Sequence, residues 1–210
     1  MKNERVTIIE APLYGNIALG KMITSAVKDE LTAKGIKYTT IGGFTLRRKP
    51  VLKNISNVAK RASYHHKGIV FYAGHGTDTS LKGSNPTRNT NRDLINTKNA
   101  NKFIFDNLNW VTLACDAGKK LGAYLAKPKG ASFFGSDDSM AGYPYSFNGD
   151  KLPDIGQAYA RHIVRLYDNI NIITSSSILA STLTKLNKII VPTFESNFIL
   201  IKDGKLYKFK

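Results

Sequence analysis

The chain has 210 residues, with 31 Lys and Arg against 15 Asp and Glu, giving a formal net charge of +16. Hydrophobic residues make up 42% and charged residues 22%, which excludes a disordered chain, because disorder joins net charge to low hydrophobicity. One domain over residues 1–210 is the expectation, and a chain of this size buries roughly 70% of the surface it exposes when unfolded.

A single cysteine, Cys115, rules out an intramolecular disulfide framework and any zinc site built on a Cys pair. The N-terminal apolar run, Val6 to Ala11, is short for a secretory leader, and no run reaches the about 18 apolar residues of a membrane span. The expectation is a cytoplasmic protein with no membrane partner. Basicity by itself suits nucleic acid, an anionic membrane surface or an acidic protein, without choosing among them.

Val6 to Ala11 reads as a buried strand ended by Pro12 and Gly15. Leu19, Met22, Ile23, Ala26, Val27 and Leu31 recur at helical spacing, with Gly35 as the stop. Ile36 to Ile41 completes a strand-helix-strand unit, closed by Gly42-Gly43. Residues 51–62 read as a surface helix, and Gly68 to Ala73 as a continuous apolar strand running into Gly74-His75-Gly76. From Thr77 to Lys102 the chain is polar and too long for an ordinary connection, so it reads as a functional loop or an insertion whose end docks through Phe103 and Phe105.

Trp110 to Ala114 is the next strand and delivers Cys115-Asp116-Ala117-Gly118, before a short helix over Lys119 to Ala126. Ala131 to Gly135 is a further strand ending in Ser136-Asp137-Asp138. Beyond a Gly/Pro/Tyr-rich loop, Asp154 caps a helix whose Ile155, Ala158, Tyr159, His162, Ile163 and Leu166 form one stripe. Another helix is expected over 175–187, and Asn197 to Phe209 alternates about Asp203-Gly204 as a β-hairpin. The order implies an α/β fold with a mostly parallel sheet sandwiched by helices. Ligands of such sheets bind at the carboxyl ends of the strands, where this chain places His75, Cys115 and Asp137/Asp138.

If the strands before His75 and Cys115 are neighbours, imidazole and thiol emerge at one sheet edge as a nucleophile and acid–base pair. The backbone amides of Gly76 and Cys115 are the matching oxyanion donors. A helix following Cys115 would favour the thiolate through its dipole.

FYAGHG over residues 71–76 and VTLACDAG over 111–118 resemble the His-Gly and Ala-Cys signatures of the caspase-like cysteine peptidases. LACDAG and the later GASFFGSDD are most similar to the CHAT and clostripain-like branches. The resemblance covers about residues 6–138 in element order and implies a cysteine endopeptidase. Cys115 would attack the peptide carbonyl, and His75 would protonate the leaving amine. It implies an acidic residue that selects Arg or Lys before the scissile bond: Asp137 or Asp138, with Asp116 as third choice. Tyr14 and Asn16, in the loop after the first strand, are expected to line the same cleft, and Arg88 and Arg92 are conceivable self-cleavage points. No cofactor is implied.

Plainer readings stand beside these. A lone cysteine after an apolar strand is by itself a packing residue; its pairing with Gly-His-Gly is what points to chemistry. His162 lies on an apolar stripe as a core histidine, and adjacent His65 and His66 point to opposite sides of extended backbone, so neither indicates a metal site. Asp137-Asp138 also reads as a turn with a helix cap. No phosphate-binding glycine loop and no G-x-S-x-G motif occurs. Seven Lys and Arg without an acid between Arg47 and Lys67 support the alternative function, a catalytically inactive caspase-like module binding nucleic acid or an acidic protein.

Overall fold

The apolar runs pair into a seven-stranded sheet in the computed structural model, which describes residues 6–10, 17–42, 57, 60, 68–85, 90–138, 152–190 and 197–209. In chain order the elements are β1 (Val6–Glu10), α1 (Ile17–Ala33), β2 (Tyr38–Gly42), β3 (Gly68–Ala73), β4 (Gly76–Thr77), β5 (Ser80–Asn85), β6 (Thr90–Asn96), a 3₁₀ turn (Ala100–Lys102), β7 (Leu108–Leu113), α2 (Leu121–Leu125), β8 (Ser132–Ser136), α3 (Leu152–Tyr167), α4 (Ile172–Ile190), β9 (Phe198–Lys202) and β10 (Lys205–Phe209).

The strand order is β10-β9-β8-β7-β3-β1-β2. β8, β7, β3, β1 and β2 run parallel, and the β9–β10 hairpin joins antiparallel at the β8 edge. Asp203 (φ 49°) and Gly204 (φ 71°) both take the left-handed conformation that a two-residue hairpin turn requires, as the Asp-Gly pair predicts. Every residue of β3 and β7 is buried, the mark of central parallel strands covered on both faces.

Alternation along the strands divides the core in two. Ile8, Phe71, Val111 and Phe134 face α1, α3 and α4 through Ile23, Val27, Leu31, Tyr159, Ile163 and Leu183. Val70, Tyr72, Trp110 and Phe133 face Leu81, Ile95, Phe103, Leu121 and Leu125. On the first face α1 and α3 approach closely: a Cβ on Gly156 would sit 2.5 Å from Ala26 Cβ and 3.0 Å from Ile23 O. Lys28 and Glu10 tie α1 to the end of β1 by an ion pair.

Several expectations are corrected. The described residues of the polar stretch 77–102 are structured: β4, β5 and β6 form an antiparallel sheet whose Leu81, Leu94 and Ile95 cover the second face. Its hydrophobic anchors are spaced too far apart to read as a core, and Ser80 and Asn96 pair through backbone rather than side-chain apolarity. Phe103 docks as expected, fully buried behind the 3₁₀ turn. Met22 points outward, because the buried stripe of α1 runs through Ile23, Thr24, Val27 and Leu31. Asp154 lies inside the first turn of α3, which begins at Leu152, and α4 begins at Ile172, where the Asn171 side chain accepts from Ile173 N at 2.8 Å. The helix expected over 51–62 falls outside the described residues except at positions 57 and 60, both helical. Among the described residues no helix is long and apolar enough to cross a membrane.

His162 is the core histidine its position on α3 predicts. It is 1% exposed, its Nδ1 lies 2.7 Å from Ser175 Oγ, and its Nε2 has no hydrogen-bond partner among the described residues. Burial pushes its pKa down to about 3 from 6.5, so the folded chain keeps the ring neutral where the unfolded chain protonates it. The unfolded state therefore binds more protons below pH 6.5, and stability falls with decreasing pH by up to about 1.4 kcal/mol per unit from this group. Denaturant titrations between pH 7.5 and 4.5 are expected to show a flatter pH dependence for His162→Leu than for the wild type.

Candidate active site

Strands β3 and β7 bring the two reactive side chains to one edge. They pair in parallel with Ala73 opposite Leu113, and Gly74 N donates to Leu113 O at 2.9 Å, carrying the pairing one residue past the strand. His75 and Cys115 follow at once, both half-buried.

The chain then turns into β4, where Gly76 lies opposite Leu81. Lys82 N donates to His75 O at 3.0 Å, which makes Gly76–Leu81 a non-hydrogen-bonded pair and turns the Gly76 amide out of the β4–β5 ladder. Gly76 rests on the Cys115 backbone. A Cβ there would meet Cys115 O at 2.5 Å, Ala114 Cβ at 2.9 Å and Cys115 N at 3.4 Å, so only glycine fits at this crossing. Burial lowers the His75 pKa and favours the neutral ring, the form that can accept a thiol proton.

Asp116 turns sharply at φ 56°, and its N–H donates to Asp138 O at 3.0 Å, while Gly118 N donates to Ser136 O at 2.9 Å. These bonds stitch the turn after Cys115 to the end of β8. The expected helix dipole behind Cys115 is corrected. α2 begins only at Leu121, spans five residues, and the amides of Lys120 and Leu121 at its start both donate to Asp78 O, at 3.1 and 2.9 Å. The helix end serves the β4–β5 hairpin instead of the thiol. A 2.8 Å ion pair between Lys120 and Asp78 strengthens that junction and holds the exposed Asp78 carboxyl below the usual carboxylate range.

The three aspartates lie along the same edge in different states. Asp116 pairs with Lys119 at 2.5 Å, and the Asp116 carboxylate raises the Lys119 pKa, with Asp138 and Asp137 adding to it. Asp138 is exposed. Asp137 is the most enclosed: its side chain is 17% exposed, Oδ2 lies 3.2 Å from Lys208 Nζ, and Oδ1 is buried with no hydrogen-bond partner among the described residues.

The parallel strands, in the spatial order β2-β1-β3-β7-β8, reverse direction of winding between β1 and β3, the crevice where open α/β sheets hold ligands. His75 flanks that crevice. Tyr14 and Asn16, expected there too, lie outside the described residues, as does Arg88. Arg92 is not on a loop; it pairs with Gly83 in the β5–β6 ladder. Sequence reasoning missed Tyr72, Asp78 and Lys208. Tyr72 reads there as one more apolar strand residue, and the partners of Asp78 and Lys208 are distant in sequence.

Compared with models of known protein families and with curated proteins, the chain matches none of either.

The Gly76 crossing gives a direct test. Gly76→Ala is expected to cost about 1–3 kcal/mol in denaturant-measured stability, as overpacking against backbone does. It is also expected to slow iodoacetamide modification of Cys115 in the folded chain, by pushing the His75 turn away.

Proposed function

We propose that this chain is a caspase-like cysteine endopeptidase, with Cys115 as nucleophile and His75 as general acid–base. The observation that carries the reading is the continuation of β3–β7 pairing through Gly74, which sets His75-Gly76 against Ala114-Cys115. The resemblance of FYAGHG and LACDAG to the His-Gly and Ala-Cys signatures of that family supports it from the sequence.

In this reading His75 accepts the thiol proton and the Cys115 sulfur attacks the scissile carbonyl carbon, forming a C–S bond as the carbonyl π pair moves to oxygen. The amides of Gly76 and Cys115 hold the resulting oxyanion. The tetrahedral species collapses with cleavage of the C–N bond, and His75 returns its proton to the departing amine. Water, losing a proton to His75, then attacks the thioester and releases the carboxylic acid, which regenerates the thiol.

Asp137 is the acid best placed to choose Arg or Lys before the scissile bond. Its buried Oδ1 has no donor among the described residues, whereas Asp116 is already paired by Lys119 and Asp138 is open to solvent. A substrate guanidinium entering here would take over the carboxylate that Lys208 now holds, as a charge-assisted pair. Asp116 and Asp138 lie beside Asp137 at the same sheet edge, and the substrate is a protein or peptide.

Fluorogenic peptides with Arg or Lys at the scissile position test both parts. Cys115→Ala and His75→Ala are each expected to lower kcat/KM by at least about 10²-fold with the fold intact. Asp137→Asn is expected to lower it for Arg and Lys peptides far more than for neutral ones. Absence of cleavage by wild type, with salt-sensitive retention on a polyanion that Cys115→Ala leaves unchanged, would favour the non-catalytic binding module instead.

A further inference from the structure

Tyr72 lies under the His75 turn. It is fully buried on β3, and its ring belongs to the second core face with Val70, Trp110 and Leu81. A buried phenol needs an acceptor for its O–H. Here two carbonyls converge on it, His75 O at 2.8 Å and Lys82 O at 2.7 Å. With one proton to give, the hydroxyl is shared between them and clamps the His75 carbonyl to the facing carbonyl of β5.

The clamp acts on the His75 carbonyl itself, whereas the Gly74 N–Leu113 O bond and the packing of Gly76 on Cys115 hold only the residues on either side. Glycines flank it on both sides, and each brings wide backbone freedom. β4 is only two residues long, so its ladder adds few bonds. The His75 carbonyl also takes the 3.0 Å bond from Lys82 N, and Lys82 is itself held by an ion pair to Asp93 at 2.5 Å. Tyr72 is thus the anchor that connects the turn directly to the rigid core.

We propose that Tyr72 is a positioning residue for His75, its hydroxyl fixing the imidazole-bearing turn against Cys115 without touching substrate. The inference rests on the Cys115–His75 pairing proposed above. Burial raises the Tyr72 pKa well beyond its ordinary value, and charge on Cys115 acts in the same direction. The phenol therefore stays protonated, and remains a donor, whenever the thiol ionises.

With one cysteine in the chain, the rate of iodoacetamide alkylation reads Cys115 alone. The experiment compares its pH profile from 5 to 9.5 in wild type, His75→Ala and Tyr72→Phe, with melting curves as the check on folding. The wild type is expected to react at acidic pH values where His75→Ala does not. Tyr72→Phe is expected to melt cooperatively, lose at least about fivefold in rate at pH 6.5, consistent with the loss of a hydrogen bond worth about 1 kcal/mol, and move its inflection toward that of His75→Ala. 4-Aminophenylalanine in place of Tyr72, which keeps a donor at the same place, is expected to restore the wild-type profile. A His75→Ala profile that superimposes on wild type sinks the pairing itself. If His75→Ala shifts the profile, the Tyr72 proposal is overturned by a Tyr72→Phe chain that superimposes on wild type or does not fold, or by failure of 4-aminophenylalanine to restore the profile.

Discussion

The site depends on one backbone crossing, where Gly76 lies against Ala114 and Cys115 with no room for a Cβ. Parallel pairing of β3 with β7 creates it. Because Ala73 stands opposite Leu113, and Gly74 bonds to Leu113 O, the two strands finish level and their next residues come off the sheet together. A register slip of one residue would send every side chain of the slipped strand to the other face. The buried Phe71 and Tyr72, or Val111 and Trp110, would then exchange cores. Core packing on both faces therefore fixes the register that brings the two strand ends level, and the Tyr72 hydroxyl holds the His75 turn beyond them.

Around that crossing, the described turns after β4 and β7 are tied to their neighbours by backbone hydrogen bonds. Asp78 O caps the start of α2, and Asp138 O holds Asp116 N. The β4–β5–β6 sheet, whose composition reads as a loop, thereby becomes a brace between the histidine strand and the segment after the cysteine. Charge follows the same pattern. Among the described residues, Asp116, Asp78 and Asp137 at this edge pair with lysines of the chain itself, Lys119, Lys120 and Lys208. Among these described acids, Asp137 alone combines burial with an acceptor oxygen that has no hydrogen-bond partner, so a strongly basic chain retains a local acidic position.

The sheet was legible in the sequence because its central strands are continuous apolar runs, and Gly68–Ala73 was bounded correctly on both sides. The Asp203-Gly204 turn and the buried stripe of α3 were equally plain, since each rests on local chemistry. Less visible was whatever depends on distant pairing. Ser80–Asn85 and Thr90–Asn96 lack strand-like composition and become strands by pairing with one another and covering Trp110 and Tyr72. In the sequence, the adjacency of the strands before His75 and Cys115 is only a condition; the β3–β7 pairing that meets it, the Tyr72 hydroxyl's partners and the capture of the α2 amides by Asp78 all rest on contacts distant in sequence. The dipole expected to activate Cys115 failed for that last reason.

The central claim is that Cys115 and His75 act as one nucleophilic pair in the folded chain. Its most direct measurement is reaction of the native protein with a peptidyl-arginyl acyloxymethyl ketone, followed by mass-spectrometric mapping of the adduct. The account predicts stoichiometric thioether formation at Cys115 at neutral pH, lost in folded His75→Ala. A native protein that leaves Cys115 unmodified, while the unfolded chain labels with a simple alkylating reagent, would contradict it.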